Sequence, residues 1–375
     1  MMKNRKLLPA ALIGAALCAN TQLALAAPDL RLSGFGTLGY VTTDTNDAQF
    51  RASRRQHKGA TDSGDWGVDS RLGLQANLTF NEWFSAVGQG YTSRRDGDSS
   101  PDLEWLFLQA NVTDWATLRA GRMVVPTFLI SDSRNVGYAQ HWLRAPVEVY
   151  DASLTSSFDG LQGVLQNELG DYNITTRLSA GKASDSTINV NFIGNNVLEF
   201  QEQSDRLYSI DVKAQKGDWT GRVGYTYKSE NRLDLMGAKY LEGDDNFYST
   251  GLQYDNGSLL AMSEYVMRRF SGEGAVDGKF DSDSYYLTAG YRFGSLMPYA
   301  TYAHFKPKGD GYGLSANTDT TAVGVRWDAA RNIAFKAQVD RVSGDRFAQQ
   351  LLPDADFQHG DLPVYAYSVA VDFVF

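Results

Sequence analysis

The sequence predicts an all-β protein, a transmembrane antiparallel β-barrel of 16 strands. Three observations support this prediction. Apolar and polar residues alternate with a period of two along many segments, and short turns alternate strictly with long polar stretches. After the N-terminal segment, no apolar run is long enough to form a membrane-spanning helix.

The first 26 residues have the three-part pattern of a secretory signal peptide. Three basic residues lie within the first six positions, residues 7–18 form an apolar run, and Ala24 and Ala26 are the small residues that a signal peptidase reads. A membrane anchor is the alternative, but a polar tripeptide interrupts the apolar run before it reaches the ~20 residues of a spanning helix. We therefore predict a cleaved signal peptide over 1–26 and one barrel domain over 27–375.

The composition excludes several function classes. Removal of the signal peptide takes away three of the 35 basic residues and none of the 44 acidic ones, so the exported chain has a net charge of −12. This sign argues against a nucleic-acid partner. Cys18, the single cysteine, lies in the signal peptide, which excludes disulfides, a cysteine-based zinc site and a thiol nucleophile. We predict no metal site and no cofactor.

Period-two alternation is clearest over residues 71–80, 219–228 and 285–293, where apolar or aromatic side chains occupy every second position. On a strand this pattern places the two sets on opposite faces. Gly34, Gly36 and Gly39 match a dinucleotide-binding pattern, but β-like residues follow them instead of a helix. We therefore interpret this segment as a glycine-rich first strand.

The connections set the number of strands. Seven short turns are predicted, and eight longer polar stretches lie between and around them, so the connections join 16 strands. The turns are predicted near 81–82, 113–114, 170–172, 216–218, 255–257, 294–295 and 329–332, and the long loops near 42–66, 92–102, 124–159, 184–204, 230–245, 269–282, 306–318 and 343–362. A tilted spanning strand of ~9–11 residues fits this spacing.

A soluble β-sandwich or propeller also alternates, so the membrane assignment needs separate support. Charged residues recur on the polar face of many strands, which only a wide, water-filled barrel can leave hydrated. Tryptophans lie near the short turns, as in the aromatic girdles of membrane barrels. The chain ends on a strand with one unbroken apolar face that reaches Phe375, and closing the barrel would pair this strand completely.

These features together resemble a Gram-negative outer-membrane porin of the 16-stranded general diffusion class. The residues that carry the resemblance are Ala24-Leu25-Ala26, the first strand Leu32-Ser33-Gly34-Phe35-Gly36, the pair Gly121-Arg122 before a long third loop, and Phe375. The resemblance implies short periplasmic turns, long extracellular loops, a third loop folded into the lumen and a homotrimer. It also implies contact with outer-membrane lipid and lipopolysaccharide, and recognition of Phe373 and Phe375 by the barrel-assembly machinery.

For such a channel we predict a charged constriction that passes small hydrophilic solutes and ions. Loop 3, taken as residues 124–159, would supply the acidic side, and inward arginines would form the basic wall, since separated charges across a narrow water column sort solutes by charge. The candidates are Asp132, Glu148, Asp151 and Asp159 on the loop, and Arg71, Arg119, Arg122 and Arg222 on the wall.

Alternation points Arg119 and Arg122 to opposite faces, so one of them is expected beside a bulge or at a strand end. The alternative is that single arginines are only hydrated lumen residues or pair locally. Because strand residues that face the lumen lean basic, we hypothesise a weak anion preference.

Two other function classes stay open. A solute-selective channel with a binding site would take a sugar, an oligopeptide or an anion such as phosphate, with Trp105, Phe107, Tyr286 and His304 as candidate lumen aromatics. An outer-membrane barrel enzyme is the second. A phospholipase of that type needs a serine two residues after a histidine, and none of the four histidines has one. The Gly-x-Ser-x-Gly motif is also absent, so we predict that the protein is not an enzyme.

Overall fold

The computed structural model describes residues 28–94, 99–153, 155–191, 197–235, 237–272, 277–309, 317–345, 348–354, 356–357 and 359–375. The predicted signal peptide lies outside the described residues. Among the described residues, no helix has the length and apolar character needed to cross a membrane.

Nearly all regular structure is β-strand. In chain order the elements are β1 (Asp29–Thr43), β2 (Ala48–Phe50), β3 (Arg71–Thr79), β4 (Phe84–Arg94), β5 (Ser99–Thr113), β6 (Ala116–Val124), α1 (Val147–Tyr150), β7 (Ser157–Leu169), β8 (Tyr172–Ala183), β9 (Ser186–Asn191), β10 (Val197–Gln203), β11 (Arg206–Lys216), β12 (Trp219–Leu235), β13 (Ala238–Asp255), β14 (Leu259–Ser271), β15 (Ser282–Tyr291), β16 (Leu296–Pro307), β17 (Thr318–Ala330), β18 (Ile333–Gly344), β19 (Leu351–Pro353) and β20 (Val364–Val374). Short 3₁₀ turns cover Ser131–Ser133, Gly137–Ala139 and His359–Asp361.

Sixteen of the described strands close into one antiparallel barrel, as predicted. They are β1, β3–β8, β11–β18 and β20, and each pairs with its neighbours along the chain. Closure comes from β1, whose residues 35–43 pair with β20 while its residues 29–37 pair with β3. All backbone groups along the wall can therefore find partners without an exposed edge, which is the condition for a strand structure in hydrocarbon.

The C-terminal aromatic strand seals against glycines of the first strand. The ring of Phe375 lies over Gly34, and the ring of Phe373 lies over Gly36, so closely that a side chain at either glycine would overlap the ring. The two rings also stack on each other with a centroid distance of 6.3 Å. The glycine-rich first strand therefore provides the contact surface for the chain terminus.

The outer surface carries the apolar face of the strands. Side chains such as Leu287, Val323 and Phe335 are exposed on this surface, where a soluble protein would bury them. Trp83, Trp115, Trp219 and Trp327 lie at or beside the short turns and are also exposed, as the girdle interpretation requires. The outward face of the wall is therefore suited to lipid.

Two of the predicted long loops are mainly strand. Strands β4 and β5 extend into residues 92–102, and β12 and β13 continue through residues 230–245 with register shifts after Lys228 and Leu233. The sequence prediction was wrong there, because polar residues that still pair across a hairpin look like a loop when only their polarity is considered. In the fourth long loop, β9 and β10 form a further hairpin that pairs with the extension of β12.

Loop 1 and the last long loop join above one side of the barrel. β2 pairs with β19, and Phe50, Leu351 and Phe357 lie in one apolar cluster. The guanidinium of Arg144 in loop 3 stacks on the Phe50 ring at 4.6 Å. This contact links the outer loops to loop 3.

Candidate pore constriction

Loop 3, residues 125–156, folds into the barrel and is held by basic side chains of the wall. Lys336 Nζ donates to the carbonyls of Gly137 and Trp142 at 2.8 and 2.7 Å. Arg326 Nη1 donates to the carbonyls of Tyr138 and Gln140 at 2.8 and 2.6 Å. These charge-assisted bonds satisfy the loop carbonyls in the interior. The predicted position of loop 3 inside the lumen is confirmed.

An apolar core packs between loop 3 and the wall of β13–β16. Trp142 and Tyr150 of the loop are about 1% exposed and pack with Met262 and Tyr286 of the wall. The Trp142 indole N–H donates to Thr288 Oγ1 at 2.9 Å, so its polar group is satisfied in the core. Solutes are thereby excluded from this side of the lumen.

Arg144 joins loop 3 to two acidic residues. Its guanidinium contacts Asp69 at 2.5 Å and Asp340 at 2.8 Å, and all three side chains are buried. Burial alone would lower the pKa of Arg144, but the two carboxylates raise it above its ordinary value. Arg144 therefore stays charged and fixes the loop between loop 1 and the wall.

Glu148 and Asp151 are the next polar anchors of loop 3. Glu148 is fully buried, and one carboxylate oxygen accepts hydrogen bonds from Thr320 and Gln350 at 2.5 Å each. Burial raises the pKa of Glu148. Asp151 accepts from the backbone N–H of Arg54 at 2.7 Å and from Arg134 at 2.8 Å. Burial alone would raise the pKa of Asp151, but the positive charges of Arg134 and Arg54 outweigh it and lower the value.

The remaining lumen wall carries a basic surface. Arg119 of β6 lies 5.2 Å over the Phe107 ring and donates to Gln109 at 3.0 Å and to Gln162 at 3.3 Å. Arg71, at the start of β3, donates to Thr37 Oγ1 at 3.3 Å. Neither guanidinium lies within salt-bridge distance of a carboxylate among the residues that the structure describes.

Asp132 is the acidic group that loop 3 brings to this wall. Its carboxylate contacts Arg177 of β8 at 2.8 Å, and its side chain is 62% exposed. Arg177 also contacts the buried Asp211 at 2.8 Å. The charge of Asp132 acts on Arg119 as well as on Arg177. Asp132, Arg119 and Arg177 thus form a mixed-charge cluster on the open side of the lumen.

The structure places the predicted site residues in three different settings. Asp132 and Arg119 lie on the open side, and Arg71 lines a cavity between loop 1, loop 3 and the wall. Arg222 is 1% exposed on the inner wall, pairs with Asp211 at 2.5 Å and donates to the carbonyl of Pro126. Arg222, Glu148 and Asp151 therefore fix loop 3 to the wall and to the outer loops, and their prediction as water-facing constriction groups is corrected.

Arg122 and Asp159 require a different correction. Both belong to strands whose neighbouring exposed residues, Leu118 and Leu161, face outward, and their register pairs them directly. They form a bidentate ion pair at 2.9 and 2.7 Å on the outer face. Of the two predicted alternatives, a bulge is not present, because the pairing of β6 with β7 is continuous. Arg122 lies two residues before the end of β6 and still follows the alternation to the outer face.

The candidate aromatics also divide between the two faces. Phe107 and Tyr286 face the lumen, but Tyr286 is buried beneath loop 3. His304 lies on the outer face beside Tyr285 and contacts Asp319 at 2.9 Å, so its prediction as a lumen residue is wrong. Among the described residues, no group of three or more His, Cys, Asp or Glu side chains is placed to hold a metal ion.

The role of Arg177 was not predicted. Its alternation on β8 indicates a lumen-facing position, but no sequence signal connects it with Asp132, which lies 45 residues earlier. Only the path of loop 3 through the lumen brings these two side chains together.

The comparisons with known proteins agree with this architecture. A sequence model of the Gram-negative porin family matches residues 10–373. The chain is similar in structure to an anion-selective porin from Comamonas acidovorans, with 14% identity, a TM-score of 0.57, and coverage of 93% of this chain and 100% of that one. It is also similar to the trimer form of in-vitro folded OmpT, an outer membrane protein of Vibrio cholerae. The identity is 12%, the TM-score is 0.57, and the match covers 93% of this chain and 100% of that one.

A third similar structure is OmpF of Salmonella typhi in complex with daunomycin. The identity is 13%, the TM-score is 0.56, and the match covers 92% of this chain and 97% of that one. The comparison with curated proteins found no match. At these identities the structural likenesses establish the fold, while the family match extends over nearly the whole sequence. The chain belongs to the Gram-negative porin family.

Proposed function

We propose that the protein is a passive diffusion channel for small hydrophilic solutes and ions, with its constriction at Asp132, Arg119 and Arg177. The observation that carries the proposal is the exposed Asp132 carboxylate, which loop 3 holds beside the basic wall. Loop 3 and its apolar core fill the opposite side of the lumen. Solutes would therefore pass along the charged side, where the field across the water column acts on them.

The charges on this side support a weak anion preference. Arg177 is compensated by Asp132 and Asp211. Arg119 and Arg71 hydrogen-bond only to neutral groups among the described residues. A guanidinium with no carboxylate in direct contact attracts anions over about a Debye length, roughly 10 Å at 0.1 M salt. The net charge of the chain does not oppose this, because selectivity depends on the groups that line the path.

The test of passive diffusion combines planar-bilayer recording with liposome swelling. Purified protein should give a unit conductance that grows in proportion to salt concentration, and swelling rates should fall smoothly as the sugar becomes larger. Conductance that saturates at low salt, or swelling restricted to one sugar, would contradict a general channel and favour the solute-selective alternative.

We further propose a homotrimer in the outer membrane, exported by cleavage after Ala26. Its surroundings would be outer-membrane lipid and lipopolysaccharide, and the barrel-assembly machinery would recognise Phe373 and Phe375. The exposed apolar wall supports the lipid contact. Conductance steps in groups of three and an N-terminus beginning at Ala27 are the expected results. Single steps only, or an uncleaved N-terminus, would contradict these parts of the proposal.

We propose no catalytic step. Purified protein is therefore expected to leave phospholipid and peptide substrates intact, and hydrolysis above that of a mock preparation would contradict this.

A further inference from the structure

A cavity of about 130 Å³ lies between loop 1, loop 3 and the wall of β3–β5. Its lining combines guanidinium groups, among them Arg71 and Arg134, with apolar groups. The apolar part includes Tyr91, Leu143 and Val147, all of which are buried. The cavity is separate from the constriction, since Asp132, Arg119 and Arg177 do not line it. Its lining therefore provides a charged side and an apolar side within one small volume.

Most charges around this cavity are already compensated. Arg144 has Asp69 and Asp340, and Arg134 has Asp151 at 2.8 Å. Arg94 has Asp65 at 2.7 Å. Arg55 and Glu104, which complete the charged lining, have partners of their own. These groups form the fixed walls of the cavity.

Arg71 differs from the other arginines of the lining. A guanidinium has five N–H donors, and Arg71 uses its Nε on Thr37 Oγ1 at 3.3 Å. No carboxylate lies within 4 Å of it among the described residues. Its remaining donors are therefore available to an acceptor that enters the cavity.

The chemistry of such an acceptor follows from the lining. The planar fork of a guanidinium matches a carboxylate bidentately. The side chains of Tyr91, Leu143 and Val147 offer contacts to a compact apolar body. An engineered cavity of ~150 Å³ binds benzene, so the volume here suits a ring-sized or short-chain acid. Inorganic phosphate would leave the apolar side without contacts, and a neutral sugar would leave the guanidinium without a carboxylate in direct contact.

We propose that Arg71 anchors a small organic carboxylate with a compact apolar body in this cavity, as a binding site within the channel. This inference rests on the proposed channel function and names a solute class for it. Such a solute enters the lumen, occupies the cavity through the Arg71 fork, and reduces the ionic current while it is bound because it neutralises a positive charge that attracts anions into the channel.

The test is planar-bilayer recording in KCl with benzoate as the probe and benzamide as its neutral counterpart. Hydrogen bonds to a charged group are worth about 1.5–3 kcal/mol, which corresponds to roughly tenfold or more in affinity. Benzoate should therefore reduce the current at a concentration at least about tenfold below that of benzamide. In Arg71→Gln the half-blocking benzoate concentration should rise by about tenfold or more.

Two further variants test whether the effect depends on the guanidinium fork and on the position of Arg71. Arg71→Lys keeps the charge and loses the fork, so its half-blocking concentration should lie between those of wild type and Arg71→Gln. Arg31→Gln is the matched control, because Arg31 is 80% exposed beside Asp29 at the far end of β1; its benzoate block should equal that of wild type. Unit conductance in KCl shows that each variant is folded and inserted.

The outcomes separate this site from the channel itself. Equal block of wild type and Arg71→Gln, equal potency of benzoate and benzamide, or block by phosphate at the same concentration as benzoate would each overturn the carboxylate site and leave the channel intact. A folded wild-type protein that gives no conductance would instead contradict the proposed function.

Discussion

Single side chains in the lumen divide into those that hold loop 3 and those that face water. Asp132 belongs to the second group, because its carboxylate is mostly exposed although it contacts Arg177. Arg222 belongs to the first group, since its side chain is 1% exposed. Charged side chains in the lumen therefore have two roles, and the degree of burial decides between them.

The first prediction at this scale concerns Asp132. Asp132→Asn removes the exposed negative charge and leaves Arg119 and Arg177 in place, so anion preference should rise. The measurement is the reversal potential in a tenfold KCl gradient, which should move further toward the chloride equilibrium potential. Asp171→Asn, in the short turn between β7 and β8, is the control and should not change the value. A shift toward potassium in Asp132→Asn would contradict the assignment.

The second residue-scale prediction uses the raised pKa of Glu148. Its second carboxylate oxygen has no donor among the described residues, and neither has the amide oxygen of Gln350, which suits a protonated carboxyl. A carboxyl whose folded pKa lies above its unfolded value stabilises the fold at low pH, and this contribution is lost as the pH rises toward and through the folded pKa.

Glu148→Gln should therefore be at least as stable as wild type near neutral pH. The difference should widen with pH by up to about 1.4 kcal/mol per pH unit above the ordinary carboxyl pKa. Unfolding followed by circular dichroism from pH 4 to pH 8 measures it, with the exposed Glu168→Gln as control. A variant that loses stability steadily as the pH rises, relative to wild type, would show that Glu148 is charged in the fold.

At the scale of elements, loop 3 is a packed part of the barrel. Its apolar side chains and the carbonyls that Lys336 and Arg326 hold make it continuous with the wall of β13–β18. Water and solutes should therefore reach Gln109 on β5 but not Thr288 on β15, which Trp142 covers.

The third prediction tests this by cysteine labelling. Cys18 is the single cysteine and lies in the predicted signal peptide, so the exported chain offers a cysteine-free background. A negatively charged methanethiosulfonate reagent should reduce the conductance of Gln109→Cys and leave that of Thr288→Cys unchanged. Rapid modification of Thr288→Cys would show that loop 3 leaves this wall open.

The fourth prediction concerns closure between β1 and β20. Gly36→Val places a side chain where the Phe373 ring lies, so the yield of folded barrel should fall. Gly163→Val is the matched control, because a Cβ there meets no atom within 4 Å. Heat-modifiable mobility on gels measures the folded fraction. Equal folding of the two variants would mean that the ring contact with the glycine does not matter for closure.

At the scale of the whole molecule, the sequence was sufficient for the barrel and insufficient for its constriction. Alternation along β14 and β15 and the short turns are local properties, so they predict strands and their number. The partners of Arg177, Arg222 and Glu148 depend on where loop 3 crosses the lumen, and those contacts join residues far apart in the chain. The paired ends of β12 and β13 were also predicted as a loop, because that prediction used polarity alone.

The face of a residue was predictable only where its strand kept strict alternation. Arg119 and Arg122 show this, because continuous pairing of β6 with β7 sends them to opposite faces. The prediction that both belong to one basic wall required a bulge or a strand end to turn one of them inward, and the continuous pairing keeps Arg122 on the outer face. The family match and the closed barrel agree with the alternation pattern, which is the physical basis of the prediction.

The most direct test of the charged constriction is the reversal potential of wild type and Arg119→Gln in the same KCl gradient. Arg119 lacks a carboxylate partner among the described residues, so its charge should act on ions in the path. We predict weak anion preference in wild type and a shift toward cations in Arg119→Gln. Cation preference in wild type, or an identical reversal potential in the two proteins, would contradict the account.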